Sequence, residues 1–83
     1  MITIIFIVNG VDVHIEADGN QPLSVARNLA LTESNNTGRP MDEWEVHNDE
    51  GVLLDPLKTP IELNIQNADR LFLNLSVGCG GHN

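Results

Sequence analysis

Eighty-three residues allow one domain, because a chain this short buries only about 60 to 65% of its unfolded surface and cannot support a second independent core. With 41% hydrophobic and 19% charged residues the balance is globular rather than disordered. Twelve acidic against four basic side chains give a net charge of -8, which repels phosphate backbones and anionic lipid surfaces. Arg27, Arg39, Lys58 and Arg70 are too scattered to form a basic stripe, so neither nucleic acid nor a membrane is expected as a partner. A basic groove on another protein suits this surface better.

The first element is a hairpin. Ile4, Phe6 and Val8 alternate before Asn9-Gly10, and Val11, Val13 and Ile15 alternate after it. Asn-Gly supplies the positive φ angles of a two-residue turn. Val8 is therefore expected opposite Val11, Phe6 opposite Val13 and Ile4 opposite Ile15, all on one face. The apolar run Ile2 to Val8 has no basic residue before it and falls short of the roughly 18 apolar residues that span a bilayer, so it reads as a strand and not as a signal or membrane segment.

After the loop "ADGNQP", Leu23 to Leu31 carries Val25, Ala26 and Leu29 at helical spacing, with Pro22 near the start. Proline is tolerated there because its missing N–H costs little. The polar stretch "TESNNTGRPMDE" ends the pattern, and Gly38 and Pro40 mark a surface loop. Trp44 and Val46, then Val52 to Asp55, read as two short strands about the turn "NDEG", with Trp44 and Val46 inward and Glu45 and His47 outward. A final strand places Leu71, Leu73 and Leu75 on one face and Phe72 and Asn74 on the other.

Hairpin, helix, hairpin and final strand form an α+β order. The last strand is best buried beside the first. The expected fold is a β-grasp, a mixed sheet of four to five strands packed on one helix. Residues 1-75 form the domain and 76-83 a flexible tail. Since the first and last strands are neighbours in that arrangement, Ile5, Ile7 and Phe72 share an outer face, and a contiguous exposed apolar patch marks a protein contact.

Little in the chain points to catalysis. His14 and His47 take outward strand positions without a Ser, Cys or carboxylate at catalytic spacing, so both read as solvated surface histidines. Trp44 reads as the one core indole. Cys79 is the single cysteine, which excludes an internal disulfide and makes the cytoplasm the expected compartment. Nothing beside it in sequence lowers its pKa, so it reads as a small residue in the tail. Cys79 with His82 lacks the second ligand pair of a zinc site, and no metal or cofactor is expected. The sequons at Asn35 and Asn74 carry no meaning in the cytoplasm.

The ending "VGCGGHN", Val77 to Asn83, offers no apolar side chain beyond Val77 and Cys79, and its glycines lose the most backbone entropy on ordering. Something other than folding must account for it, or nothing does. "LNIQNADRLFLNLSVGCGG", Leu63 to Gly81, resembles the closing stretch of the ubiquitin family in its Asn-Ile-Gln, its alternating leucines and its Gly-Gly.

That resemblance implies a protein modifier whose terminal glycine is adenylated by an E1-like enzyme, passed as a thioester to an E2-like enzyme and joined to an amine on a target protein. Gly81 is then the conjugated residue and Gly80 its neighbour. A peptidase must remove His82 and Asn83, because the peptide bond to His82 blocks the Gly81 carboxylate. The chain is a carried substrate and not an enzyme. The acidic form ending in "VGCGG" is similar to bacterial ubiquitin-like proteins encoded beside E1-like, E2-like and JAB-type metallopeptidase genes and implicated in antiphage defence.

The sequence departs from ubiquitin in three places. Ser76 to Cys79 replaces a basic tail, which weakens the expectation of docking to a eukaryotic E1. Glu45 and His47 stand where ubiquitin presents a central apolar contact, so its usual receptors are not expected. Lys58 is the only lysine and thus the only side-chain acceptor, which argues against long branched polymers. Two alternatives remain open: a sulfur carrier ending in a thiocarboxylate for cofactor biosynthesis, which usually ends at Gly-Gly, and a β-grasp binding module that is never conjugated.

Overall fold

The computed structural model describes residues 1–76. Strands β1 (Ile2–Val8) and β2 (Val11–Ala17) lead to helix α1 (Leu23–Glu33). A 3-10 turn (Met41–Glu43) introduces β3 (Trp44–His47), followed by β4 (Leu53–Leu54) and β5 (Asp69–Leu75). The sheet runs β2-β1-β5-β3-β4. β1 and β5 are parallel, and the other neighbours are antiparallel. This is the β-grasp arrangement, a five-stranded mixed sheet with one helix.

The opening hairpin follows from its turn. Asn9 and Gly10 have φ of 51° and 80°, the pair of positive angles that matches strand twist in a two-residue loop. Val8 pairs with Val11, Phe6 with Val13 and Ile4 with Ile15, as the alternation requires. Val11 is nevertheless exposed, at the tip of the ribbon beside the turn.

Ile4, Phe6 and Val8 of β1 and Leu71 and Leu73 of β5 are at most 2% exposed. They form the middle of the core with Val46, Trp44, Ile15 and the inner stripe of α1. Parallel pairing sets Phe6 beside Leu71 and Val8 beside Leu73, so the two central strands bury their most apolar faces together.

The helix turns a different face inward than its apolar spacing suggests. Leu23, Ala26, Arg27, Ala30 and Leu31 are buried, the i, i+3, i+4, i+7 and i+8 stripe of an amphipathic helix. Val25 and Leu29 flank that stripe and remain 44% and 46% exposed. Pro22 supplies no side-chain cap. Instead the N–H of Leu23 donates to the carbonyl of Lys58 at 2.8 Å and that of Ser24 to Pro56 at 2.9 Å. The loop after β4 therefore satisfies donors that a helix start leaves unpaired.

Arg27 is the one buried charged residue among the described residues, at 6% exposed. Its Nε donates to Asn28 Oδ1 at 3.0 Å and its Nη1 to the Trp44 carbonyl at 3.4 Å. Desolvation lowers the guanidinium pKa, while the Asp42 carboxylate pulls the other way. The bond to the Trp44 carbonyl ties α1 to the start of β3.

Candidate functional site

The outer face of the sheet is built by strand alternation. On β1 the residues opposite the core are Thr3, Ile5 and Ile7; on β5 they are Arg70, Phe72 and Asn74; on β3 they are Glu45 and His47. Register brings them into rows. Ile7 lies between Asp12 on β2 and Phe72 on β5, Phe72 lies beside His47 on β3, and His47 beside Leu53 on β4. One row of side chains thus crosses all five strands, with Ile7, Phe72 and Leu53 as its apolar members. Ile5 extends it in the next row, between His14 and Arg70.

Ile5, Ile7 and Phe72 are partly exposed, neither sealed in the core nor standing free. Leu53 is 58% exposed. Long polar neighbours explain the intermediate values, since Arg70 and His47 can lie along the apolar surface with their polar ends in water. The structure therefore brings the three sequence-predicted contact residues together and adds His47 and Leu53. Leu53 was legible as the outward neighbour of an inward Leu54, given that successive strand residues face opposite ways.

His14 is exposed, as a surface histidine should be. His47 is not the fully solvated residue that its outward position suggests. Its side chain is 25% exposed, its Nδ1 is buried without a hydrogen-bond partner among the described residues, and its Nε2 lies 3.9 Å from Glu45 Oε1. Packing between Phe72 and Leu53 is what withdraws it from water. Trp44 is buried at 6% exposure, as expected of a core indole, although its Nε1 also lacks a partner among the described residues.

Lys58 is exposed on the loop between β4 and β5, with its carbonyl committed to the helix start. The chain leaves the sheet where Leu75 pairs with Trp44 and the N–H of Ser76 donates to the Glu43 carbonyl at 2.8 Å. Gly80, Gly81, His82 and Cys79 lie outside the described residues. Among the described residues there is no group of three His, Cys, Asp or Glu side chains placed to hold a metal ion, and no helix is long and apolar enough to cross a membrane.

Replacing Phe72 by Ala should change stability by only about 1 kcal/mol, as for a half-exposed side chain away from the core. Its effect should appear instead in partner binding, read by titration calorimetry against whatever protein the outer face engages.

Comparison with known proteins agrees with this architecture. The EccD5 ubiquitin-like domain from Mycobacterium xenopi superposes with a TM-score of 0.72 at 21% identity, covering 89% of this chain and 92% of that one. The crystal structure of ATBAG1 in complex with HSP70 gives a TM-score of 0.76 at 10% identity, covering 94% of this chain and 42% of that one. At such identities the likeness establishes the ubiquitin-like fold alone. In sequence, the uncharacterized protein y4jI of Sinorhizobium fredii (strain NBRC 101917 / NGR234) is 40% identical over 80 residues. The match takes in 96% of this chain and spans 62% of that relative's length. The model of a protein family of unknown function, DUF2604, matches residues 1–81, and the chain belongs to that family.

Proposed function

We propose that this chain is a ubiquitin-like protein modifier, matured after Gly81, adenylated at that carboxylate by an E1-like enzyme and carried as a thioester by an E2-like enzyme to an amine on a target protein. The observation that carries the reading is a ubiquitin-like domain whose last strand ends at Leu75 and is followed within a few residues by Gly80-Gly81. The family match takes in this ending, running from residue 1 to residue 81.

In this reading the domain is the handle and the tail the reactive end. A JAB-type metallopeptidase removes His82 and Asn83. The apolar row on the outer face gives the enzymes or the target a surface to grip, and the acidic balance favours basic grooves on those partners. The setting we propose is bacterial and cytoplasmic, with antiphage defence as the use; that part rests on the sequence resemblance.

The test is a reconstituted reaction of the matured chain with ATP and its E1- and E2-like enzymes. The dominant products should be single additions to lysines of another protein, located by tryptic peptides that carry a Gly81-derived remnant. Any bond between two copies through a lysine must use Lys58, because the chain has no other. Recovery of a thiocarboxylate at Gly81, with no isopeptide product, would replace this reading by the sulfur carrier.

A second reading is favoured by one observation. ATBAG1, solved in complex with HSP70, is only 42% covered by this chain, so a ubiquitin-like fold can be one part of a longer protein. A non-conjugated binding module would keep the outer-face interaction and show no remnant at all.

A further inference from the structure

The β3–β4 hairpin stops early. Its register pairs Val46 with Leu54 and His47 with Leu53, and β4 ends at Leu54. Carried one step further, that register sets Glu45 opposite Asp55, and like charges directly opposite are destabilising. Among the described residues neither carboxylate forms an ion pair with a lysine or arginine. Glu45 Oε1 lies 3.9 Å from His47 Nε2, and Asp55 Oδ1 accepts the N–H of Leu57 at 2.9 Å.

Where the two strands part, a groove of about 390 Å³ opens between β3, the chain after β4 and α1. Trp44, Leu53 and Pro56 belong to its apolar wall, and Leu53 is 58% exposed. Its charged members are Arg27, Asp42, Glu45 and Asp55. Asp42 is the carboxylate whose charge acts on the Arg27 guanidinium, which leaves Glu45 and Asp55 to a cation from elsewhere. Trp44 is 6% exposed, and its indole Nε1 has no acceptor among the described residues. A buried donor left unpaired costs free energy that an arriving acceptor recovers. The groove thus wants one cation and one acceptor beside an apolar surface.

We propose that this groove receives an arginine of a partner protein, flanked in sequence by apolar residues. A guanidinium presents a planar fork of donors that spans two carboxylates at once, which the point charge of lysine does not. Its stem lies along Leu53 and Pro56, and the peptide carbonyl next to it supplies the acceptor for the Trp44 indole. The β3 backbone at the groove is already committed, since the Trp44 N–H donates to the Met41 carbonyl and the Trp44 carbonyl accepts from Arg27 Nη1. Recognition is therefore by side chains and not by an added strand. The net charge of -8 draws a basic partner from a distance, and the groove selects the residue. The site shares Leu53 with the outer-face row but neither Ile7 nor Phe72, and it does not depend on conjugation through Gly81.

The probe is the blocked peptide Gly-Leu-Arg-Leu-Gly, with lysine or the uncharged isostere citrulline in place of arginine as controls. Titrated into the full chain, it should change the fluorescence of Trp44, the only tryptophan. It should also shift the indole N–H and the amides of Glu45, Leu53 and Asp55 saturably, more weakly at high salt. The lysine peptide should bind more weakly and the citrulline peptide not at all. Glu45→Gln and Asp55→Asn keep the side-chain shape, and each should weaken the affinity roughly tenfold, the scale of a charge-assisted hydrogen bond. Phe72→Ala should leave it unchanged. If a carboxylate variant fails to fold, the citrulline control decides, because it leaves the protein unaltered. Equal binding of the arginine and citrulline peptides, binding unaffected by both carboxylate substitutions, shifts centred on Phe72, absence of binding, or self-association of the free protein through this groove would each overturn the proposal and leave the tail chemistry untouched.

Discussion

Replacing Phe6 by Ala lowers the stability of the domain by about 3 to 5 kcal/mol, the range for truncating a fully buried aromatic side chain. Phe6 is 0% exposed, and its strand is central, paired to β2 through Val13 and to β5 through Leu71. Neither neighbour can collapse into the space without breaking its own ladder, so the cavity term is retained in full. A domain of this size has roughly 4 to 12 kcal/mol of total stability, which makes the loss a large fraction of it. Urea unfolding followed by far-UV circular dichroism reads the effect as a shift in midpoint at constant slope. Phe72→Ala on the same axis should move the midpoint far less. A larger loss for Phe72 than for Phe6 would mean that the sheet faces are assigned the wrong way round.

The two phenylalanines also show why much of this fold was legible in advance. Alternation about Asn9-Gly10 determines which side of β1 is buried, and a single strong turn signal fixes the register of the hairpin. The leucines of β5 then demand a central position. What alternation does not carry is the rotation of a helix. Val25 and Leu29 look like core residues by type, yet Arg27 lies inside and they lie at the margin. The reason is tertiary: the Trp44 carbonyl and Asn28 offer the guanidinium partners across and along the helix, and no local pattern announces an acceptor supplied seventeen residues away.

The outer-face row was partly legible for a related reason. Ile5, Ile7 and Phe72 follow from period two and from the adjacency of β1 and β5. The contributions of His47 and Leu53 require knowing that β3 follows β5 across the sheet, which depends on long-range pairing. Val25 and Leu29 flank the buried stripe that holds Arg27 and, with Ala17, Pro22 and Ala26, line a groove between β2 and α1.

Changing Gly81 to Ala should reduce both maturation and transfer by about a hundredfold, the scale on which a misplaced reacting group loses rate, while leaving the urea midpoint unchanged. The separation is expected because, among the described residues, the core runs no further than Leu75 and the last backbone contact is made by Ser76. In the proposed reaction the carboxylate of residue 81 must reach a phosphate within an enzyme channel. A side chain at that position obstructs the approach, whereas glycine adds no Cβ. In the 83-residue chain residue 81 has no free carboxylate, since it is joined by a peptide bond to His82. Intact mass after incubation with the cognate peptidase should therefore show loss of His82 and Asn83 from the natural chain and its retention in the variant. A variant already truncated at residue 81 isolates the second step, since it needs no peptidase and should still fail to form a thioester at the natural rate. Equal thioester formation by the glycine and alanine forms, or conjugation by a chain that keeps its last two residues, would show that residue 81 is not the reacting end.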